Sequence, residues 1–119
     1  MPNVKQLDDQ LNAMILSGKA MEGFEQFYAE DVVMRENEKP PTTGKAANRD
    51  RELAFFASLE AFHNGAVKAS AVGDDVSFGE WEMDVTFKGG SRTTMRQASV
   101  RRWKDGKIVH EKFYYDGAH

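Results

Sequence analysis

Residues 80–90, Glu80-Trp81-Glu82-Met83-Asp84-Val85-Thr86-Phe87-Lys88-Gly89-Gly90, decide how the second half of the chain folds. Trp81, Met83, Val85 and Phe87 alternate with Glu80, Glu82, Asp84 and Thr86, the period of two that a half-buried strand requires. Two further stretches, 91–103 and 107–115, are rich in Thr, Val, Tyr, Phe and Trp and read as strands of the same sheet. Lys88-Gly89-Gly90 and Lys104-Asp105-Gly106 each end in Gly and suit three-residue hairpin loops whose last residue takes positive φ. That register sets Phe87 opposite Ser91 and Trp103 opposite Lys107. One face then carries the rows Gly79–Ser99–Glu111, Trp81–Gln97–Phe113 and Met83–Met95–Tyr115. The other face carries Glu80–Ala98–Lys112, Glu82–Arg96–Tyr114 and Phe78–Val100–His110. The first face is apolar with isolated polar groups. The second is mostly charged, with Glu82 and Arg96 directly opposed.

Working outward toward the N-terminus, the pattern becomes helical. Val4, Leu7, Leu11, Met14 and Ile15 form one face of a helix over 3–16, stopped by Ser17-Gly18. Met21, Phe24, Phe27 and Tyr28 mark a second helix over 19–29, antiparallel to the first. Glu30-Asp31 leads into a short strand, Val32-Val33-Met34. Pro40-Pro41 and Thr42-Thr43-Gly44 read as loop. Asn48 is the expected N-cap of a third helix over 49–63, ended by Asn64-Gly65, with Leu53, Phe55, Phe56, Leu59 and Phe62 as a wide apolar stripe. Residues 66–72 are small and alternate loosely. Helices followed by long antiparallel strands define an α+β fold, a strongly bent sheet covered on one face by three helices.

Length and composition bound the function. The chain has 119 residues, 40% of them hydrophobic, enough for a single domain over 1–119 with one sizeable core. With 16 Lys+Arg against 19 Asp+Glu, the net charge of −3 argues against nucleic acid as partner. The absence of Cys excludes disulfides and cysteine chemistry. No apolar run spans a membrane and no apolar signal segment opens the chain, so a cytoplasmic protein is expected. Glu36, Glu38, Glu111 and the His residues lack metal-ligand spacing, and no cofactor is expected. Gly89-Gly90 has no phosphate-loop context. Arg92, Arg96, Arg101, Arg102, Lys104 and Lys107 alternate along strands and are answered by Glu80, Glu82 and Asp84, so they read as a salt-bridged sheet face.

The stretches Phe27-Tyr28-Ala29-Glu30-Asp31-Val32, Thr43-Gly44-Lys45, Val100-Arg101-Arg102-Trp103-Lys104-Asp105-Gly106-Lys107-Ile108-Val109 and Phe113-Tyr114-Tyr115-Asp116 resemble the SnoaL-like, polyketide cyclase branch of the nuclear transport factor 2-like superfamily. The resemblance implies a cone, a bent sheet wrapped on three helices with a pocket in its mouth. It also implies homodimers joined through the outer sheet face. Members include cyclases, isomerases, hydrolases, dehydratases and non-enzymes, so the function has to be argued from the pocket.

Matching Ala29–Met34 to a ketosteroid isomerase-like member places Glu36 at that member's catalytic base. Strand alternation puts Glu36 on the face of Val32 and Met34, where a carboxyl among apolar groups is suited to carry protons; with Arg35, Asn37, Glu38 and Lys39 around it, the other reading is a solvated Glu at a strand end. The other two positions that such an isomerase needs correspond to Leu11 and Ser99, which cannot supply its strong hydrogen bonds. Cyclase-like members pair an acid with a His; His63, His110 and His119 are the candidates here. His110 is expected to face outward, His63 to end a helix and His119 to be terminal.

Glu111 is the second inward carboxyl. With Ser99 beside it and Arg101 two residues away on the same face, it reads either as an acid/base group or as half of a buried Glu–Arg pair. Gln97, a neutral polar group among aromatics, reads either as a group that orients a ligand or as an amide hydrogen-bonded to a loop backbone. Met34, Phe56, Trp81, Met83, Met95, Gln97, Ser99, Phe113 and Tyr115 form the expected ligand pocket, and the two strand methionines give it an adaptable wall. Phe78, Val100, His110 and Tyr114 form an outward apolar patch that suggests a partner. Three readings stay open: a binder of a small, largely apolar molecule with acid/base isomerase, cyclase or hydrolase chemistry; a non-catalytic dimeric binding module; and a subunit that modulates a larger enzyme.

Overall fold

The computed structural model describes residues 2–116. In chain order the elements are α1 (Val4–Leu16), α2 (Ala20–Phe27), β1 (Tyr28–Glu36), β2 (Thr42–Thr43), α3 (Lys45–Ala57), β3 (Leu59–Val72), β4 (Val76–Phe87), β5 (Arg92–Lys104) and β6 (Lys107–Tyr114). The six strands form one curved sheet in the order β2-β1-β6-β5-β4-β3. Its pairs are antiparallel except β1–β6, which is parallel, so the sheet is mixed where the sequence led to an antiparallel one. The α+β cone stands.

Helix α1 starts on a capping box. The Asn3 side chain accepts from the Gln6 amide at 2.9 Å, and Gln6 accepts from the Asn3 amide at 2.9 Å. Helix α2 runs straight into β1, which begins at Tyr28 and contains Glu30-Asp31 rather than following them. The third helix departs most from expectation. It opens after Gly44, and Asn48 lies inside it as a fully buried residue. Asn48 donates to the backbone oxygens of Val32 (3.3 Å), Thr42 (3.0 Å) and Gly44 (2.9 Å), pinning α3 to β1 and β2. The helix ends at Ala57 instead of 63, and Asn64-Gly65 sit within β3. Pairing of β3 with β4 slips at three places, between Leu59 and Ala61, Phe62 and Asn64, and Val67 and Ala69. Those slips break the period of two and hide the strand from a pattern search.

The β4–β5 register is the expected one, with Trp81 opposite Gln97, Met83 opposite Met95 and Glu82 opposite Arg96. The positive φ of that loop falls on Gly89 (+70°), not on Gly90. The β5–β6 hairpin differs. Lys104 pairs with Lys107 across a two-residue turn, with Asp105 at φ 52° and Gly106 at φ 77°. A bulge then intervenes, because Trp103 pairs with Ile108 and Arg102 with His110, leaving Val109 as the extra residue. The shorter turn and the bulge each move the register by one. Together they move it by two, so every side chain of β6 beyond the bulge keeps its expected face but slides one row. Glu111 therefore opposes Arg101, and Ser99 opposes Phe113 rather than Glu111. On the outer face Lys112 stands beside Val100, and Tyr114 beside Ala98 rather than Arg96.

Leu11, Phe24, Phe27, Tyr28, Val32, Met34, Trp103 and Ile108 form the buried core where α1 and α2 meet β1 and β6. The bulge brings both Ile108 and Glu111, three residues apart, to that inner side. Among the described residues no helix is long and apolar enough to cross a membrane.

Candidate functional site

Next to the core residues Leu11, Phe24 and Tyr28, the helices and the sheet frame an open-mouthed cavity of about 860 Å³. Phe56 of α3, Trp81 and Met83 of β4, Met95, Gln97 and Ser99 of β5, and Phe113 and Tyr115 from β6 and just beyond it all line this space. Met34 does not. It is buried in the core, with its Sδ 3.4 Å from the Arg51 guanidinium.

Glu36, at the end of β1, lines the cavity and accepts a hydrogen bond from the Tyr115 hydroxyl at 2.9 Å. Arg51 of α3 pairs with its other oxygen at 3.5 Å. Asn37 builds this corner. At φ 49° it leaves β1, its amide donates to Phe113 O at 2.8 Å, and its side chain bonds both the Tyr115 amide and the Tyr115 carbonyl at 3.0 Å. This clamp fixes Tyr115 and aims its hydroxyl at Glu36.

Glu111 is fully buried at the cavity floor, with both oxygens engaged. Arg101 donates to one at 2.8 Å and the Tyr28 hydroxyl donates to the other. Arg101 also donates to Asp8 (2.8 Å) and Asn12 (2.6 Å) of α1. Ser77 donates to Asp8 at 2.8 Å and accepts from the Trp103 indole at 2.9 Å. Burial opposes the charge on Arg101, but Glu111, Tyr28 and Asp8 outweigh it and its pKa rises. Burial, reinforced by the Glu111 charge, holds the Tyr28 hydroxyl well above its usual range, so it stays a donor. Every buried side-chain polar atom among the described residues has a partner.

Glu52 of α3 also lines the cavity, beside Arg51 at 3.1 Å. Burial pushes its pKa up to about 7; Arg51 opposes the rise, and the charges of Glu111 and Glu36 add to it. Periodicity could have found it, since Asn48, Glu52 and Phe56 follow the i, i+4, i+8 spacing of one helix face. In the same way Asp8 lies three residues before Leu11 and four after Val4, on the buried face of α1.

The two described histidines, His63 and His110, do not line the cavity. His63 is exposed on β3, bonded to Thr86 Oγ1 at 2.8 Å, where the sequence implied a helix end. His110 lies beside Arg102, and burial together with Arg102, Lys112 and Arg35 lowers its pKa. His119 lies outside the described residues. Among the described residues no group of three His, Asp or Glu is placed to hold a metal ion.

Several solved structures share this architecture. A protein of Mesorhizobium loti that carries the provisional name SnoaL-like polyketide cyclase is 26% identical with a TM-score of 0.86, the alignment covering 96% of this chain and all of that one (100%). A similarly named protein of Jannaschia sp. is 8% identical with a TM-score of 0.80 over 92% of this chain and 85% of that chain. A ketosteroid isomerase-like fold from Catenulispora acidiphila, solved with trimethylamine, is 16% identical with a TM-score of 0.74 over 89% and 82%. No curated protein matches the chain. The model of the SnoaL-like domain matches residues 3–115, and the chain belongs to that family.

Proposed function

We propose that the chain binds a small, largely apolar molecule in the cavity and moves a proton on it, with Glu36 as the group that takes the proton. One observation carries this reading. A carboxyl oriented by Tyr115 and Arg51 stands on the wall of a cavity to which Phe56, Trp81, Met83, Met95 and Phe113 give a large apolar surface. Apolar walls supply affinity, and Gln97 and Ser99 orient the molecule. A positioned carboxylate supplies general-base catalysis. Glu111 is 1% exposed with Tyr28 and Arg101 on its oxygens, whereas the Glu36 side chain stays 36% exposed; the part of Glu111 is to hold the floor of the cavity rigid. Isomerisation and cyclisation are the reaction types that this arrangement serves.

The test uses 1-tetralone, a small apolar ketone with an acidic C–H, in D₂O. Wild-type protein is expected to speed deuterium uptake, read by mass spectrometry, and Glu36→Gln to lower the rate by about 100-fold or more, the usual range for a positioned base. Uptake that Glu36→Gln leaves unchanged overturns the reading.

The outer sheet face supports a homodimer as a second element of function. Phe78 and Tyr114 are each 45% exposed there, two large apolar side chains on a face otherwise charged.

A further inference from the structure

Arg51 reaches two carboxyls from two elements. Its Nη1 lies 3.5 Å from Glu36 Oε2 on β1, and its Nη2 lies 3.1 Å from Glu52 Oε1 on α3. The Glu52 side chain keeps 21% of its surface open, on the cavity side. The charged and titratable groups facing it are Arg51 on its own helix, Glu36 and Tyr28 of β1, and Glu111 of β6. Glu111 is already paired with Arg101, so ionising Glu52 sets a second carboxylate on Arg51 beside Glu36, and within reach of the Glu111 charge, in a poorly solvated wall.

We propose that Glu52 is a second proton-carrying residue of the cavity, acting as the acid opposite Glu36, with Arg51 holding the two carboxyls in one assembly. This rests on the reading of Glu36 given above. In the forward step Glu36 takes a proton from a substrate carbon, and the C–H electron pair moves into the adjoining π system. Glu52 delivers its own proton to the substrate atom that receives the electron pair. The substrate leaves isomerised with its proton count unchanged. The cavity is left with Glu36 protonated and Glu52 ionised, and one proton passing between them through solvent restores the starting state. The substrate class is a neutral, largely apolar molecule with an oxygen acceptor, since a protonated Glu52 offers a hydrogen-bond donor and no charge. A carboxyl kept protonated by its surroundings is a recurrent source of an acid at neutral pH.

Two measurements test this. The first is a carboxyl ¹³C NMR titration of protein labelled at its glutamate side chains. One carboxyl is expected to titrate near pH 7, to vanish in Glu52→Gln, to move downward in Glu36→Gln as a like charge is lost, and to move upward in Arg51→Gln. The second is deuterium uptake by 1-tetralone across pH, with circular dichroism confirming that each variant is folded. The wild-type rate is expected to fall about tenfold per pH unit above the Glu52 midpoint, and Glu52→Gln to cut the rate about 100-fold and remove that limb. Uptake that Glu36→Gln abolishes but Glu52→Gln leaves intact overturns the role of Glu52 and spares that of Glu36. Uptake indifferent to Glu36→Gln overturns the earlier reading, and the titration then decides separately whether the two carboxyls are coupled. A titration with no carboxyl above pH 6 overturns this inference outright.

Discussion

Arg101 is the residue on which the inner sheet and the first helix agree. It joins Glu111 of β6 to Asp8 and Asn12 of α1, and its guanidinium lies 5.7 Å from the Trp81 ring centroid. Two acids and one cation share a site only 4% or less exposed, so removing the cation strands two buried charges. Arg101→Met is expected to destabilise the fold by about 3–5 kcal/mol, read from urea unfolding at pH 7. A loss under about 1 kcal/mol would mean that water reaches this site. Glu52 gives the opposite kind of signal. Its folded pKa of about 7 lies above the unfolded carboxyl value, so the folded protein binds more protons between roughly pH 4.5 and 7. Stability from this residue is therefore fully present at acid pH and lost as pH rises through 7. The loss is up to about 3 kcal/mol, and Glu52→Gln is expected to flatten the slope. Unfolding free energies at pH 5 and pH 8 for the two proteins check this. Spacing sets Asp8 and Glu52 on the buried faces of their helices, but polar residues there read as breaks in the apolar stripe, and the packing shows that the stripe closes around them.

At the level of the elements, turns and bulges settle where side chains point. Gly89 has φ +70°, and a Cβ added there would meet nothing within 4 Å. Its neighbour Gly90 has no positive φ, and a Cβ there would find ordinary clearance, 3.5 Å to Phe87 Cβ. Gly89→Ala is expected to cost about 1 kcal/mol through backbone strain alone, and Gly90→Ala to be neutral or slightly stabilising. Equal effects in thermal unfolding would show that the loop rearranges. The three C-terminal strands are legible in the sequence because alternation and the glycine turns agree. The rows of β4 and β5 are legible too, but the row position of β6 is not, since a bulge at Val109 leaves no mark in the pattern, and the inner face survives only because two one-residue changes add to an even shift. Strand β3 reads partly as helix because Leu59 and Phe62 extend the apolar stripe of α3, while its slips erase alternation. Asn48 reads as a cap for a sound local reason, but its buried side chain ties three segments together instead.

For the whole molecule, the two faces of one sheet ask for different partners. The inner face closes on helices and leaves a cavity. The outer face exposes Phe78 and Tyr114 among ion pairs such as Arg96–Glu82 at 3.2 Å and Arg92–Asp84 at 2.8 Å. The ion pairs are solvated and contribute little attraction, so the apolar side chains decide whether two copies associate. In a two-fold dimer each residue counts twice. Burying a Phe side chain is worth about 1.5–3 kcal/mol, so Phe78→Glu is expected to remove roughly 3 kcal/mol or more and to weaken association by over about 100-fold. Tyr114→Ala is expected to weaken it less, because Lys112 already covers its ring at 4.8 Å in the single chain. Glu36→Gln, on the far side of the sheet, is expected to leave association unchanged. Sedimentation equilibrium reads all three: a wild-type chain that stays monomeric at high concentration, or a dimer that Phe78→Glu does not disturb, would rule out this face as the interface.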